Sequence, residues 1–418
     1  MESGVINVPL KEGVAAMRVA LFHEHQGGYV EAVGPAGGKN VDRGDTSGGR
    51  LSLLIEPTSK LHVRLTALEQ AISQRGSSVV DYELATGRPT EGDLKRQLDV
   101  REPYLVNVGL VSADIEYDLG WARINSVTSA QQEKSRNRLD ASFYDPVLST
   151  PDAPITDTGL DSEPGMRKHK QEFRLTSASG TLEWLGGLYF DSEVGRNSQL
   201  LAGTLETDNS EVDAVALAQP STYKELAAYA DLTWNLAKDW SLTGGARVAR
   251  NRQVYATIVT GAAPVGGNPA ESSKTYLATL RYAFTPTSNV HLRAASGYRP
   301  GGPNPPALDG EGNVDPTAPK SFKSDSLRSY EAGYKADLLD KRLSVEAAIC
   351  AIELPSDTLV DLQSGVTPGH IGVGLYVRNL FDKRAILGAD AALVAFGSPL
   401  HATVAQPRTI GATVSASF

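Results

Sequence analysis

The sequence is poor in cysteine, in long apolar runs and in blocks of positive charge. Cys350 is the single cysteine among 418 residues, so neither a disulfide within the chain nor a cysteine metal cluster can form. We expect it to pack as a small strand residue. No stretch approaches the roughly 18 apolar residues of a membrane helix, although the strands of a membrane barrel leave a weaker hydropathy signal. The net charge of -9, without a basic block, argues against nucleic acid as a partner.

The sequence also lacks common catalytic motifs and a signal peptide. It contains no G-x-S-x-G, no H-E-x-x-H and no P-loop, so we predict that the chain is not an enzyme and holds no cofactor. Gly297, Gly301 and Gly302 lead from a predicted strand into a proline-rich loop and not into a helix, which is unlike a phosphate-binding loop. The segment Met1–Val5 has no basic region and no apolar region. We therefore expect the chain to begin within a longer gene product.

Alternation of apolar and polar residues with a period of two dominates what is present. From Ile410 to Phe418 every second residue is apolar, and the residues between are polar or small. The runs 226–236 and 240–248 repeat this pattern on either side of the short turn Ala237–Asp239. Such alternation predicts strands with one apolar and one polar face.

Short turns and long loops alternate along the chain. The short turns fall near Lys11–Gly13, Pro57–Lys60, Asp118–Gly120, Ser177–Gly180, Ala237–Asp239, Thr285–Asn289 and Leu339–Arg342. The long polar loops lie near 28–48, 71–103, 134–169, 197–220, 257–272 and 299–326. Short turns on one rim and long loops on the other are typical of bacterial outer-membrane barrels, in which the loops are extracellular. Aromatic residues near strand ends fit the girdles of such barrels, namely Trp184, Trp234, Trp240, Tyr282, Phe284 and Tyr334. We predict an all-β fold, an antiparallel transmembrane outer-membrane β-barrel, and keep an aromatic sandwich core as the alternative.

Several stretches resemble one family of such barrels. They are GYRPGGPN (Gly297–Asn304), SDSLRSYEAGYKADLLDKRLSVEAAI (Ser324–Ile349), LYVRNLFDKRA (Leu375–Ala385), QPRTIGATVSASF (Gln406–Phe418) and, near the start, Gly4–Val30. In this order they resemble the barrel domain of TonB-dependent receptors, and the resemblance covers nearly the whole chain, which we take as one partial barrel domain, 1–418. The resemblance implies a bacterial outer-membrane location, surrounding lipid, a monomer, the TonB complex as partner and a small-molecule cargo such as a metal chelate. It also implies a 22-stranded barrel filled by a plug, whereas neither a plug nor a TonB box is visible here.

The number and direction of the strands depart from that design. We count about 16 strands. If Lys11–Gly13 is a periplasmic turn, the strand near 343–353 ends outside, yet the strand near Gly372–Asn379 must start inside. Either Asp357–Gln363 crosses as a short strand, or an odd number of strands has been deleted around 355–370. We favour the deletion, so that the barrel is incomplete.

Four residues are candidates for contact with cargo. Arg299 and Asn304 lie in the glycine- and proline-rich loop that follows a strand, and Arg299 is the more plausible contact for an anion. His23 and His25 share one face of a strand and could bind a metal, although no third ligand is evident and ordinary rim or lumen residues are the simpler interpretation. The acidic residues of the loop after Gly302 do not have the spacing of an EF-hand, so we predict no metal site there.

The preferred hypothesis is therefore the barrel of a TonB-dependent importer of a scarce nutrient, such as a ferric siderophore. The first alternative is a passive, porin-like pore or a non-functional receptor remnant, since a barrel of about 16 strands without a plug would enclose a channel. The second is a soluble all-β carbohydrate-binding protein.

Overall fold

The computed structural model describes residues 2–83, 85–261, 263–304, 317, 319, 321–339, 343–352, 362–366, 371–384, 386–390 and 400–416. In chain order the strands are β1 (Glu2–Lys11), β2 (Ala15–Gln26), β3 (Glu31–Val33), β4 (Gly44–Thr58), β5 (Leu61–Gln74), β6 (Val79–Glu83), β7 (Arg88–Pro89), β8 (Lys95–Gln97), β9 (Tyr104–Asp118), β10 (Ala122–Asp140), β11 (Ile155–Ser177), β12 (Leu182–Leu205), β13 (Glu211–Asn235), β14 (Trp240–Val259), β15 (Val265–Gly267), β16 (Ala270–Thr285), β17 (Ser288–Arg299), β18 (Gly302–Pro303), β19 (Ser321–Phe322), β20 (Asp325–Leu338), β21 (Leu343–Ile352), β22 (Leu362–Val366), β23 (Ile371–Arg378), β24 (Ile386–Asp390), β25 (Leu400–Val404) and β26 (Thr409–Ala416). A 3-10 turn, Ser142–Tyr144, and the helix α1 (Asp145–Leu148) lie between β10 and β11.

One sheet of 18 strands contains most of the described residues. It is an antiparallel meander of β1, β2, β4, β5, β9, β10, β11, β12, β13, β14, β16, β17, β20, β21, β22, β23 and β26, with the short β15 added beside β14. The predicted all-β, antiparallel fold is thus confirmed, with slightly more strands than expected. Within the described residues no pairing joins β1 to β26, so these two strands are the edges of the sheet. None of the described helices is long and apolar enough to cross a membrane.

The direction of the strands stays consistent to the end of the chain because β22 crosses between β21 and β23. Ser364 of β22 pairs antiparallel with Val345 of β21 and with Leu375 of β23. Of the two alternatives, the structure thus has the short crossing strand. β22 overlaps the predicted segment Asp357–Gln363 only at its first two residues. Residues 353–361 and 367–370 lie outside the described residues. A deletion around 355–370 is not needed to restore the strand direction, and it stays a prediction.

The two faces of the sheet differ in polarity and in exposure. On β13 and β14 the even-numbered residues are exposed, for example Leu226 at 62% and Val248 at 51%, whereas the odd-numbered Glu225 and Ala249 are buried. We call the exposed, largely apolar face the outer face and the opposite, largely polar face the inner face. Because side chains alternate along a strand, the apolar pattern of the sequence is concentrated on one surface.

Aromatic residues gather at the short-turn end of the outer face. The ring of Trp240 lies 4.6 Å from that of Tyr282, and Tyr282 lies 4.8 Å from Phe284. Trp121, which is not among the predicted girdle residues, has its ring 6.5 Å from that of Trp184 at the next turns. These pairs occupy the position expected of a girdle at a lipid boundary.

Candidate functional site

Three loops at the long-loop end of the sheet pack into one small unit, which we call the cap. The cap comprises the loop 27–43, the loop 75–103 and the described part of 379–408. β24 and β25 of the last loop join β6 and β7 of the second loop in a four-stranded sheet, and β3 runs parallel to β8. The loops thus become a folded surface at the long-loop end of the sheet.

The cap has its own apolar core, drawn from all three loops. Val30, Val80 and Ala402 are at most 1% exposed, and Tyr82 and Val404 complete the cluster. Burial raises the pKa of the Tyr82 phenol, consistent with an interior position. Removal of apolar surface from water is the main driving force that holds such a unit together.

Buried charges fix the cap to the sheet. The Arg96 guanidinium donates to both carboxylate oxygens of Glu102, at 2.6 and 3.0 Å, and the two side chains are 2% and 4% exposed. Glu102 also accepts from the Asp140 backbone N–H at the end of β10, at 3.0 Å. The fully buried Asp42 accepts from the backbone N–H groups of Tyr29 and Val30, at 2.8 and 2.9 Å. Such bonds are needed because a buried charge without partners is strongly destabilising.

The last loop begins at Asn379, whose φ of 50° permits a sharp turn at the end of β23. Its side-chain amide donates to the carbonyl oxygens of Lys383 and Gln406, both at 2.8 Å, and its oxygen accepts from the Lys383 backbone N–H at 2.9 Å. This geometry makes Asn379 a structural residue at the point where β23 turns into the last long loop.

The inner face carries a network of charged and phenolic side chains that extends over β11 to β14. Glu172 accepts hydrogen bonds from Tyr229 and from Arg174, and Glu225 accepts from Arg247 and from Tyr223. Further along, Lys168 contacts Glu193 at 2.7 Å and Asp191 at 3.7 Å, and Tyr189 donates to Asp191 at 3.1 Å. The sequence predicts a polar face on these strands. It does not predict which side chains form hydrogen bonds or ion pairs, because that depends on the register between strands.

The inner face also holds buried polar atoms without hydrogen-bond partners among the described residues. They are Asn125 Oδ1, Arg174 Nε, Asp191 Oδ1, Asn197 Oδ1, Gln253 Oε1 and Ser273 Oγ. Buried polar atoms are normally paired with protein or with ordered water. The inner face is therefore suited to contact water or another polar surface.

The predicted candidates Arg299 and Asn304 lie at the base of one extracellular loop. Arg299 ends β17, is 73% exposed and forms an ion pair with Asp325 at the start of β20. The Asn304 amide donates to the Pro319 carbonyl oxygen at 2.8 Å. Glu271 holds the same loop base by accepting from the backbone N–H groups of Gly301 and Ser324, each at 3.3 Å.

The other two candidates, His23 and His25, lie elsewhere, on the outer face of β2 near its long-loop end. His25 Nδ1 lies 2.8 Å from Asp45 Oδ1, and His23 Nε2 lies 3.7 Å from the same oxygen. They share the face of Leu21, which is 61% exposed. Among the described residues no group of three or more histidine, cysteine, aspartate or glutamate side chains could hold a metal ion. Residues 305–316, which include the acidic residues after Gly302, lie outside the described residues.

Comparison with known proteins identifies the family. The family model described as "TonB dependent receptor-like, beta-barrel" matches residues 70–405. The chain belongs to this family. The predicted recognition and the outer-membrane location are thereby confirmed. Because long loops are extracellular in outer-membrane barrels, we refer to the long-loop end as the extracellular end.

Relatives of the receptor barrel support the same assignment. The pesticin receptor of Yersinia pestis is 29% identical over 131 residues, which cover 29% of this chain and 18% of that protein. The chain thus aligns with less than a fifth of the length of that relative. Among solved structures, the ferric yersiniabactin uptake receptor of Yersinia pestis matches with a TM-score of 0.65 and 16% identity over 100% of this chain and 77% of the other. The ferric-catecholate import receptor of E. coli K12 matches with a TM-score of 0.55 and 13% identity, over 100% and 81%. These structures are similar in fold.

Proposed function

We propose that the chain is the barrel of an importer that takes up a small metal chelate, such as a ferric siderophore, across the outer membrane. The observation that carries this proposal is the polar inner face with its unpartnered buried atoms, because it is suited to a second polar surface inside the lumen. In this family that surface is a plug, which TonB moves. The solved relatives named for ferric yersiniabactin and ferric catecholates favour a siderophore over other cargo.

Of the four predicted contacts, Arg299 and Asn304 are the better placed for cargo. They lie at an extracellular loop base, and Arg299 is a strongly exposed cation that suits an anionic chelate. His23 and His25 face the outer side of the sheet, away from the lumen, which favours a rim role for them.

Binding and uptake of iron-55-labelled siderophores test the proposal. The full gene product is produced in a strain without its own siderophore receptors, and chelates of the yersiniabactin and catecholate types are compared. We expect saturable binding to outer membranes and uptake that stops when TonB is absent. Binding or uptake of none of the chelates would contradict the proposal.

A substitution sharpens this test. We expect Arg299→Gln to weaken binding of an anionic chelate by about tenfold, because a hydrogen bond to a charged group contributes roughly 1.5–3 kcal/mol. The matched control is Arg136→Gln, since Arg136 is also exposed, at 70%, and also forms an ion pair, with Glu163. An equal loss in both variants would show that Arg299 has no specific role.

A passive pore is the competing proposal, since a barrel of this kind encloses a channel when its lumen is not filled. Conductance in planar bilayers separates the two. A steady current without ligand would support the pore, whereas a closed barrel with saturable chelate binding supports the importer. Failure of the chain to insert would support a non-functional remnant. The family match disfavours the soluble carbohydrate-binding alternative.

A further inference from the structure

Four basic residues stand together on the outer face, at the extracellular edge of the apolar surface. We call Lys224, Arg250, Arg252 and Lys274 the basic rim cluster. They lie on β13, β14 and β16, which are adjacent strands. Lys224 and Arg252 are directly paired across β13 and β14. Side chains of directly paired residues are roughly 5 Å apart at Cβ, so these two cations are close neighbours.

The cluster begins where the continuous apolar run of each of the three strands stops. The runs end at Leu226, Val248 and Tyr276, which are 62%, 51% and 51% exposed, and on β14 the isolated outer-face residues Val254 and Ile258 lie farther out. On each strand the next outer-face residue toward the extracellular side is basic, namely Lys224, Arg250 or Lys274. In an outer-membrane barrel, the surface just beyond the apolar band contacts lipid headgroups.

Among the described residues these cations have no acidic partners. All four are exposed, and none forms an ion pair within the part of the chain that the structure describes; the bond from Arg252 Nε to Asn268 Oδ1, at 2.7 Å, joins it to a neutral group. The nearby carboxylates of Glu225 and Glu271 belong to the inner face. Two other basic residues of the outer face, Arg136 and Arg138, are paired with Glu163 and Glu211, whereas the cluster brings four cations together without such partners among the described residues.

We propose that the basic rim cluster binds a phosphorylated lipid of the outer leaflet. The phosphate groups of the lipid would lie among the four cations, and its acyl chains would lie along Leu226, Val248 and Tyr276. Unpaired like charges at neighbouring positions repel each other, so an anion between them removes a cost that the free barrel carries. A cation beside an anionic membrane surface is attracted to it. The combination of a cationic rim with an apolar surface beneath it fits an anionic lipid better than a soluble anion.

Titration with lipid A tests this proposal. The folded chain in a neutral detergent is titrated with bis-phosphorylated lipid A, with dephosphorylated lipid A and with inorganic phosphate. The fraction of folded protein is determined from its heat-modifiable mobility in gel electrophoresis, and the affinity is calculated for the folded protein alone.

Three variants are compared with the wild type. The test variant is K224Q/R250Q/R252Q/K274Q. The control variant is K11Q/K60Q/K238Q/R281Q, which removes the same number of positive charges near the periplasmic turns. A second variant, K224R/R250K/R252K/K274R, keeps every charge.

We expect the test variant to bind bis-phosphorylated lipid A roughly tenfold or more weakly than the wild type. The control and the charge-conserving variant should bind as the wild type does, and high salt should weaken the wild type. Equal binding by the test variant, equal binding of dephosphorylated lipid A, or no binding by the folded wild type would overturn the proposal. Inorganic phosphate that competes as well as lipid A would also overturn it, because the ligand would then be a soluble anion.

Discussion

The ion pair between Arg96 and Glu102 is the most deeply buried pair of opposite charges in the described chain. Removal of one member of such a pair leaves the other charge buried without compensation, at a cost of roughly 3–5 kcal/mol. We therefore expect Glu102→Gln to open the cap locally while the main sheet stays folded. Limited proteolysis and hydrogen exchange across residues 75–103 would measure this opening.

The matched control for that substitution is Glu163→Gln. It breaks the pair with Arg136, which is 70% exposed, and exposed pairs contribute about 0–1 kcal/mol. Equal protease sensitivity of the two variants would contradict the structural role of the buried pair.

A single glycine on the inner face allows one member of the polar network to pack. Gly187 lies opposite Tyr229, and a Cβ at Gly187 would overlap the Tyr229 ring. Gly187→Val should push the ring away, break its hydrogen bond to Glu172 and cost about 1–3 kcal/mol. Urea unfolding of the barrel in lipid vesicles would measure this loss.

Gly244→Val provides the comparison for Gly187→Val. Gly244 is also in a strand of the sheet, but a Cβ there would meet nothing within 4 Å. A similar loss of stability in both variants would show that strand glycine itself, and not the room for Tyr229, sets the cost.

At the scale of elements, the loop that contains α1 is predicted to respond to pH. Burial, against an opposing hydrogen bond from Thr158 and with the nearby carboxylates of Asp157 and Asp140, raises the pKa of Asp145 to about 6. The folded loop therefore favours the protonated acid. Its contribution to stability is fully present below about pH 4 and is lost as the pH rises through about 6.

We expect Asp145→Asn to remove this pH dependence and to stabilise the loop at neutral pH relative to the wild type. Hydrogen exchange of residues 141–149, corrected for the intrinsic effect of pH, would report the change between pH 4 and 7. Asp152→Asn, an exposed change in the same loop, is the control. Unchanged pH dependence in Asp145→Asn would contradict this assignment.

At the scale of the whole molecule, the two faces of the sheet must meet different solvents. Leu280 lies on the outer face at the middle of the run from Tyr276 to Phe284, and Thr279 lies beside it on the inner face. An arginine on the lipid side near the bilayer midplane costs about 2–4 kcal/mol. Leu280→Arg should therefore destabilise the barrel in vesicles far more than Thr279→Arg, as measured by chemical denaturation. The reverse order would contradict the assignment of the faces.

The sequence predicts the main sheet well because alternation and turn chemistry are local signals. The hairpin across Ala237–Asp239 and the strand at Thr409–Ala416 are examples. β22 was only partly predicted, since five residues carry too few alternations to fix its bounds. Arg299 and Asn304 were predicted as neighbours in one loop, which is also a local relation.

The cap and the inner-face network could not be predicted in the same way. The pairing of β6 with β25 joins residues more than 300 positions apart, as His401 with Asp81 shows. The contact between Tyr229 and Glu172 spans 57 positions and depends on the registers of two strand pairs. No local pattern encodes such a partner choice.

The pairing of β6 with β25 also determines which parts of the chain must be present before the cap can fold. Val30 and Val80 enter the chain early, but their neighbours Ala402 and Val404 arrive almost at its end. Contacts between distant segments form slowly, because loop closure must precede them. Until β25 arrives, the edge of β6 is unprotected and prone to pair with other chains. The cap therefore requires segments from both ends of the chain, and a chain that stops before residue 400 would leave the edge of β6 free to pair with other chains.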